Sequence, residues 1–371
     1  MAAEMSGMIF ELHGDACRLG YLKLVACILE DGAARSPDYL ASLLLETCRC
    51  LEDDSAGKML GLLRSDVNAR NYVKLAAELG FYDRRTGRLG EFGAVYVCLN
   101  SSNVLKQHVA GESTAKLSVV LGLNTVEKLL FIQSLLTKDF YMMGRIIRWA
   151  LKTRVFSRQQ AMETIMEEIY PEALKQAMKH ASEKMRQAIS SELQEAIKFR
   201  EARLAYRSKT EWVRGRQYAK YRHAVPPRLE WLVDIGLLER MQRGKYGTSA
   251  DAVKLSRDLE VVLEKPRDKL EQALFNYLTP SVLSLKHPTQ NIEAQTLTEV
   301  YRVLNRVLGR VRLDVLCLAA AYKLVEDGFR SSPSSAARAF SYLSLLYPDR
   351  VFATYSEDGS TEVTVLDTSL A

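Results

Sequence analysis

Residues 75–93 read LAAELGFYDRRTGRLGEFG, and residues 232–248 read LVDIGLLERMQRGKYGT. Both stretches close a run of helical periodicity with a glycine, Gly80 or Gly236. Glycine takes the left-handed backbone at a helix C-terminus without a Cβ penalty. Beyond each glycine comes a short run that reads as a strand, then a basic turn, then a return. Arg84, Arg85 and Arg88 lie around the first turn, and Arg243 and Lys245 around the second. One device used twice predicts a modular chain.

Working outward from the first copy, Leu19, Leu22, Leu24, Val25, Ile28 and Leu29 are spaced for one buried helical face. Ser36 and Pro37 supply an N-cap and a first helical residue, followed by Leu40, Leu43, Leu44 and Cys48. Residues 66–79 form a third helix with Val67, Tyr72, Leu75, Ala76 and Leu79 inward. Three helices and then a small hairpin is the winged-helix order, and the segments at about 70–110 and 210–256, each ending a helix at Gly and passing into a strand and a basic turn, resemble the winged-helix superfamily of DNA-binding proteins. The resemblance implies that the third helix enters a major groove and that the hairpin, or wing, touches the backbone or minor groove. Arg64, Arg70, Asn71 and Lys74 would then lie on the exposed side of the third helix, with Arg84, Arg85 and Arg88 on the wing. The alternative is a helical domain with a solvated loop.

Between the two copies, residues 112–156 read as helix with a dense apolar stripe, and Pro171 opens a pattern that runs without Gly or Pro to about Tyr206. A continuous helix of some 35 residues would span roughly 50 Å and act as a connector. Its end runs into the most basic part of the chain. From Lys198 to Arg228 there are ten Lys or Arg, opposed only by Glu201 and Glu211, with Phe199, Tyr206, Trp212, Tyr218 and Tyr221 between them. Cations replace condensed counterions on a polyphosphate, and interleaved rings can stack on bases or pack the cation stems. The competing interpretation is a solvated basic face over core aromatics. Pro226 and Pro227 read as the start of a new helix, with Arg228 at its head. At the C-terminus, helices at Thr296–Leu308, Leu313–Val325 and Ser332–Leu346 precede a hairpin signalled by Asp358-Gly359. Arg302, Arg306, Arg310 and Arg312 lie in or just after the first of these helices. The last hairpin is acidic, with Glu357, Asp358 and Glu362, so this third winged-helix-like module suits protein contact better than phosphate.

The chain has 371 residues, a net charge of +6 and six cysteines. No cysteine pair has C-x-x-C spacing, which points to free thiols in a reducing, cytoplasmic compartment. No secretory signal or 18-residue apolar run is expected to direct it to a membrane. Catalytic patterns are missing too. There is no P-loop, no G-x-S-x-G elbow and no H-E-x-x-H, and none of the 20 lysines follows an acidic residue at the spacing of a PD-(D/E)xK nuclease. Glu163, Glu167, Glu168 and Glu172 could face a divalent cation, but a solvated helix face is the commoner meaning of such spacing.

These readings predict a mainly α fold: several winged-helix-like modules with small hairpin wings, joined by a helical region with a long connector helix. The modules fall at 1–111, 208–290 and 291–371, with the helical region at 112–207. The expected function is non-enzymatic double-stranded DNA binding, with RNA possible and no cofactor or metal. Arg200, Arg203, Arg207, Lys209, Arg214, Arg216, Lys220 and Arg222 would neutralise phosphates, His223 would donate to a phosphate or base edge, and Arg228, Arg243 and Lys245 would set the register. Arg70, Lys74, Arg84, Arg85 and Arg88 would form a second contact. A protein partner or a homodimer would use the C-terminal module. The alternative is a scaffold subunit of a nucleic-acid-processing or defence complex whose winged helices make protein contacts.

Overall fold

The computed structural model describes residues 7–10, 12, 15–51, 62–109, 116–356 and 359–366. It is mainly helical, with small antiparallel sheets of two, three and three strands. Among the described residues no helix is long and apolar enough to cross a membrane. The chain divides into two compact units, each assembled from two separated segments: Met1–Leu19 with Phe131–Arg267, and Gly20–Leu130 with Asp268–Ala371.

In the first unit, helix Phe140–Thr153 leads into strand Val155–Ser157, and Ser157 caps helix Arg158–Thr164 by accepting from Gln160 N–H at 3.0 Å. The helix continues through a π-helical turn, Ile165–Ile169, into Tyr170–His180. The long connector expected here is not one helix. Ala181 and Ser182 are extended, Ser182 starts a second helix, Glu183–Ala205, and the two helices pack on each other. Ser182 makes no side-chain cap bond, so what accompanies the break is the packing of Glu183–Ala205 back on Tyr170–His180.

A short helix, Lys209–Arg214, precedes helix Arg216–Asp234, which contains Pro226 and Pro227 in its interior and does not begin at them. Each proline lacks an N–H, so the carbonyls of Arg222 and His223 have no helical partner. Both residues are exposed, which leaves their carbonyls open to hydration. The helix passes through Ile235 to Gly236, at φ 80°, then to strands Leu238–Met241 and Lys245–Thr248. Strand Val155–Ser157 pairs with Lys245–Thr248, which lies in the middle of the three-stranded sheet. The N-terminal segment closes this core. Trp231 Nε1 donates to the Ala16 carbonyl at 2.9 Å, and Leu19 N–H donates to Asp234 at 2.8 Å.

In the second unit, helices Gly20–Ile28, Pro37–Leu51 and Asp66–Glu78 pack together, and Ser65 caps the third by accepting from Asn68 N–H. Gly80 takes φ 75°, and strands Tyr82–Asp83 and Arg88–Leu89 pair across the turn. Helix Glu91–Val97 then packs on two helices from the far end of the chain, Gln290–Leu308 and Leu313–Glu326. The C-terminal segment adds strand Val311–Arg312, helix Pro333–Leu346 with a Ser332–Ser335 capping box, and strands Val351–Tyr355 and Thr361–Val365. The last strand lies between the other two. Of the acidic tip, Glu357 and Asp358 lie outside the described residues.

Candidate nucleic-acid interface

The aromatics of the basic stretch are not offered to a ligand. Trp212 is 3% exposed and Tyr221 is fully buried. Trp212 meets Tyr206, Tyr218 and Tyr221 edge-on, with centroids 5.1, 5.9 and 5.7 Å away. Tyr218 and Tyr221 stack at 5.6 Å, and Phe199 abuts Tyr221 at 6.0 Å. Burial, with Glu167 nearby, pushes the Tyr221 phenol well above its ordinary range. Such rings form the interior of a small helical cluster, so base stacking is not available to the buried ones.

The cations divide into three sets. Some are neutralised within the fold: Arg203 pairs with Glu167, and Lys220 pairs with Glu192 and, at 3.2 Å, with Glu195. Arg228 is 1% exposed, and each nitrogen of its guanidinium makes a hydrogen bond. It donates to Asp139 at 2.7 Å, to the Ala224 carbonyl at 2.7 Å and to the Ile9 carbonyl at 2.8 Å. Asp139 accepts a further bond from Ile9 N–H at 2.9 Å, and burial pushes its carboxyl up despite the guanidinium. The register-setting role expected of Arg228 is therefore replaced by a core role, because the proline pair sits inside a helix whose second half is covered by the N-terminal segment.

A second set stays on the surface. Arg207, Arg214, Arg222, His223, Arg243 and Lys245 are exposed, and Arg222 lies 5.8 Å over the Tyr218 ring. Among the described residues no carboxylate pairs with the side chains of Arg207, Arg214, Arg222, Arg243 or Lys245. Arg243 occupies the hairpin tip with φ 60° and ψ 34°, beside Gly244 at φ 70°. A side chain held there costs about 1–2 kcal/mol relative to glycine. The third set, the side chains of Arg200, Lys209 and Arg216, lies outside the described residues.

In the second unit Arg64, Arg70, Lys74, Arg84, Arg85 and Arg88 are all exposed, whereas Asn71 is buried. Arg70 lies 3.0 Å from Asp38, Arg84 3.2 Å from Glu78, and Arg85 3.7 Å from Asp83. These pairs are solvent-exposed and contribute little to stability, so a phosphate can displace them at small cost.

The Glu163 to Glu172 cluster is already occupied by the protein itself. Glu163 accepts from Gln159, Glu167 from Arg203 and Glu172 from Lys175, while Glu168 is exposed. Among the described residues no group of three or more His, Cys, Asp or Glu is placed to hold a metal ion. A cavity of about 510 Å³ in the second unit is lined by Glu271, Arg312, Asp314 and Cys317, among others. Burial pushes the Cys317 thiol up to about 12, so it is a thiol and not a nucleophilic thiolate at neutral pH. Sequence reasoning missed the acidic partners, Glu192 and Glu195, of the basic stretch. They are 28 and 25 residues from Lys220, and no local pattern links them to it. Comparison with protein-family models, curated proteins and solved structures finds no match.

Proposed function

We propose that this chain binds double-stranded DNA without catalysing a reaction, gripping the phosphate backbone through the surface set of cations in the first unit. The observation that carries this reading is the group Arg207, Arg214, Arg222, Arg243 and Lys245: exposed, cationic and without carboxylate partners among the described residues. The burial of Trp212, Tyr218 and Tyr221 in the same stretch favours a backbone grip over a base-stacking platform. A winged-helix relationship is part of the proposal. It is supported in the first unit by the order helix, strand, helices, hairpin and by the first strand pairing beside the last. The same strand order recurs in the C-terminal segment. Five phosphate contacts would give log K against log[salt] a slope of roughly −4 to −5. A fluorescence-anisotropy titration on a random duplex tests this, and a slope near zero overturns it.

A second reading, a scaffold subunit using its C-terminal module for protein contact, is favoured by one feature. Helix Pro333–Leu346 exposes Tyr342, Leu345 and Leu346, and Leu345 is 81% exposed. Tyr355 on the hairpin is also exposed. Size exclusion with light scattering checks it: self-association abolished by Leu345→Glu supports the reading, and a monomer at all concentrations removes the homodimer.

A further inference from the structure

The second unit brings together two basic segments that lie more than 200 residues apart in sequence, as the 220-residue separation of Arg88 and Leu308 shows. The Arg88 guanidinium donates to the Leu308 carbonyl at 3.5 Å, at the C-terminal end of helix Gln290–Leu308. A side chain added at Gly309 would lie 3.9 Å from the same guanidinium. The loop before helix Pro37–Leu51 joins these parts. Arg35 N–H donates to the Gly87 carbonyl at 2.7 Å, and the Tyr82 hydroxyl donates to the Arg35 carbonyl at 2.8 Å. On the other side, Gly32 takes φ 75° and approaches the backbone of Arg306 and Val307 so closely that an added Cβ would lie 3.1 Å from the Arg306 carbonyl. The hairpin and the helix end are therefore held against each other by backbone contacts.

We propose that Arg85 and Arg88 of the hairpin and Arg306 and Arg310 at the end of the Gln290–Leu308 helix form one continuous contact for the phosphate backbone of duplex nucleic acid. This rests on the DNA-binding reading and assigns a role to C-terminal arginines that sequence placed in a protein-contact module. Charge argues for it. Glu30 serves both Lys106 and Arg306, at 2.5 and 2.9 Å, so one carboxylate faces two cations. Arg310 is 83% exposed, and its nearest carboxylate, Glu362, is 3.8 Å away. The helix dipole accounts for a basic residue in the last turn, such as Arg306, but not for Arg310, which lies past the C-cap and points to solvent. Duplex DNA presents one charge per roughly 1.7 Å of axis, which suits several arginines along an edge.

The test is the salt dependence of duplex binding for the full chain, with Arg310→Gln, with Arg85→Gln/Arg310→Gln and, as control, with Arg214→Gln in the other unit. The slope should become less negative by about 1 for the single variant and about 2 for the double. Urea midpoints unchanged from wild type show that folding is intact, which the exposure of both residues favours. A wild-type slope near zero overturns the DNA-binding reading and this inference with it. A normal wild-type slope that falls with Arg214→Gln but not with Arg310→Gln or the double variant overturns this inference alone.

Discussion

Arg228 decides between two accounts of the basic stretch, so its replacement is the most informative single perturbation. A phosphate-gripping surface arginine can become methionine at a stability cost within about 0.5 kcal/mol. A core arginine cannot. Arg228→Met removes the three bonds to Asp139, Ala224 and Ile9 and leaves the Asp139 carboxylate, itself 0% exposed, with only Ile9 N–H to stabilise it. Breaking a buried ion pair by removing one partner costs about 3–5 kcal/mol. The double variant Arg228→Met/Asp139→Asn removes the stranded charge while keeping an acceptor for Ile9 N–H. It should recover on the order of 1–3 kcal/mol, within the usual range for coupled neighbours. The pH dependence adds a signature. Burial already holds the Asp139 carboxyl above its ordinary pKa, and without Arg228 it rises further. A carboxyl raised in the folded state supports folding in acid and loses that contribution as pH rises through the folded pKa. The deficit of Arg228→Met should therefore be smallest in acid and grow toward neutrality. Urea unfolding at pH 5 and pH 7 measures both quantities. A cost below about 1 kcal/mol at pH 7, together with a weaker DNA salt slope, would refute the core assignment and restore Arg228 to the interface.

Asp234 offers a second pH probe: burial pushes its carboxyl from 3.8 to about 6, against the pull of Arg18 and the Leu19 N–H bond. Its contribution to stability is full below about pH 4 and declines as pH rises toward 6, by roughly 3 kcal/mol at most; Asp234→Asn should flatten that segment of the stability–pH curve, and an unchanged curve contradicts the assignment. Ser65→Ala removes the cap that accepts from Asn68 N–H and should cost about 1 kcal/mol in chemical denaturation. Arg243→Gly relieves about 1–2 kcal/mol at the left-handed hairpin tip, partly offset by the greater freedom of glycine in the unfolded chain, so stability should rise by up to about 1 kcal/mol, while the DNA salt slope becomes about 1 less negative; a gain in stability with unchanged binding would remove Arg243 from the interface.

What the sequence disclosed depended on range. Glycine C-caps at Gly80 and Gly236, serine caps at Ser36 and Ser332 and the Asp358-Gly359 hairpin are local signals, and the corresponding helices and strands are present. Strand Val155–Ser157 gave no signal, because three residues carry no periodicity and its partner, Lys245–Thr248, lies some 90 positions later, as the Val155–Gly247 pairing records. The fate of the charges was hidden for the same reason. Arg228 reads as a surface cation until Asp139, 89 residues away, is brought to it. The Arg203–Glu167 pair shows how one local break reorganises a surface. These residues are 36 positions apart, and an uninterrupted helix from Pro171 to about Tyr206 would have carried Arg203 roughly 48 Å away from Pro171, near which Glu167 lies. The extended backbone at Ala181 and Ser182 folds Glu183–Ala205 back along Tyr170–His180 and puts the two side chains in contact. That contact withdraws a cation from the basic stretch, just as Glu192 withdraws Lys220 from the next helix. Which cations of this stretch stay exposed is thus decided by the helix break, and they lie in the segments beyond it, at Arg207, Arg214, Arg222 and the hairpin tip.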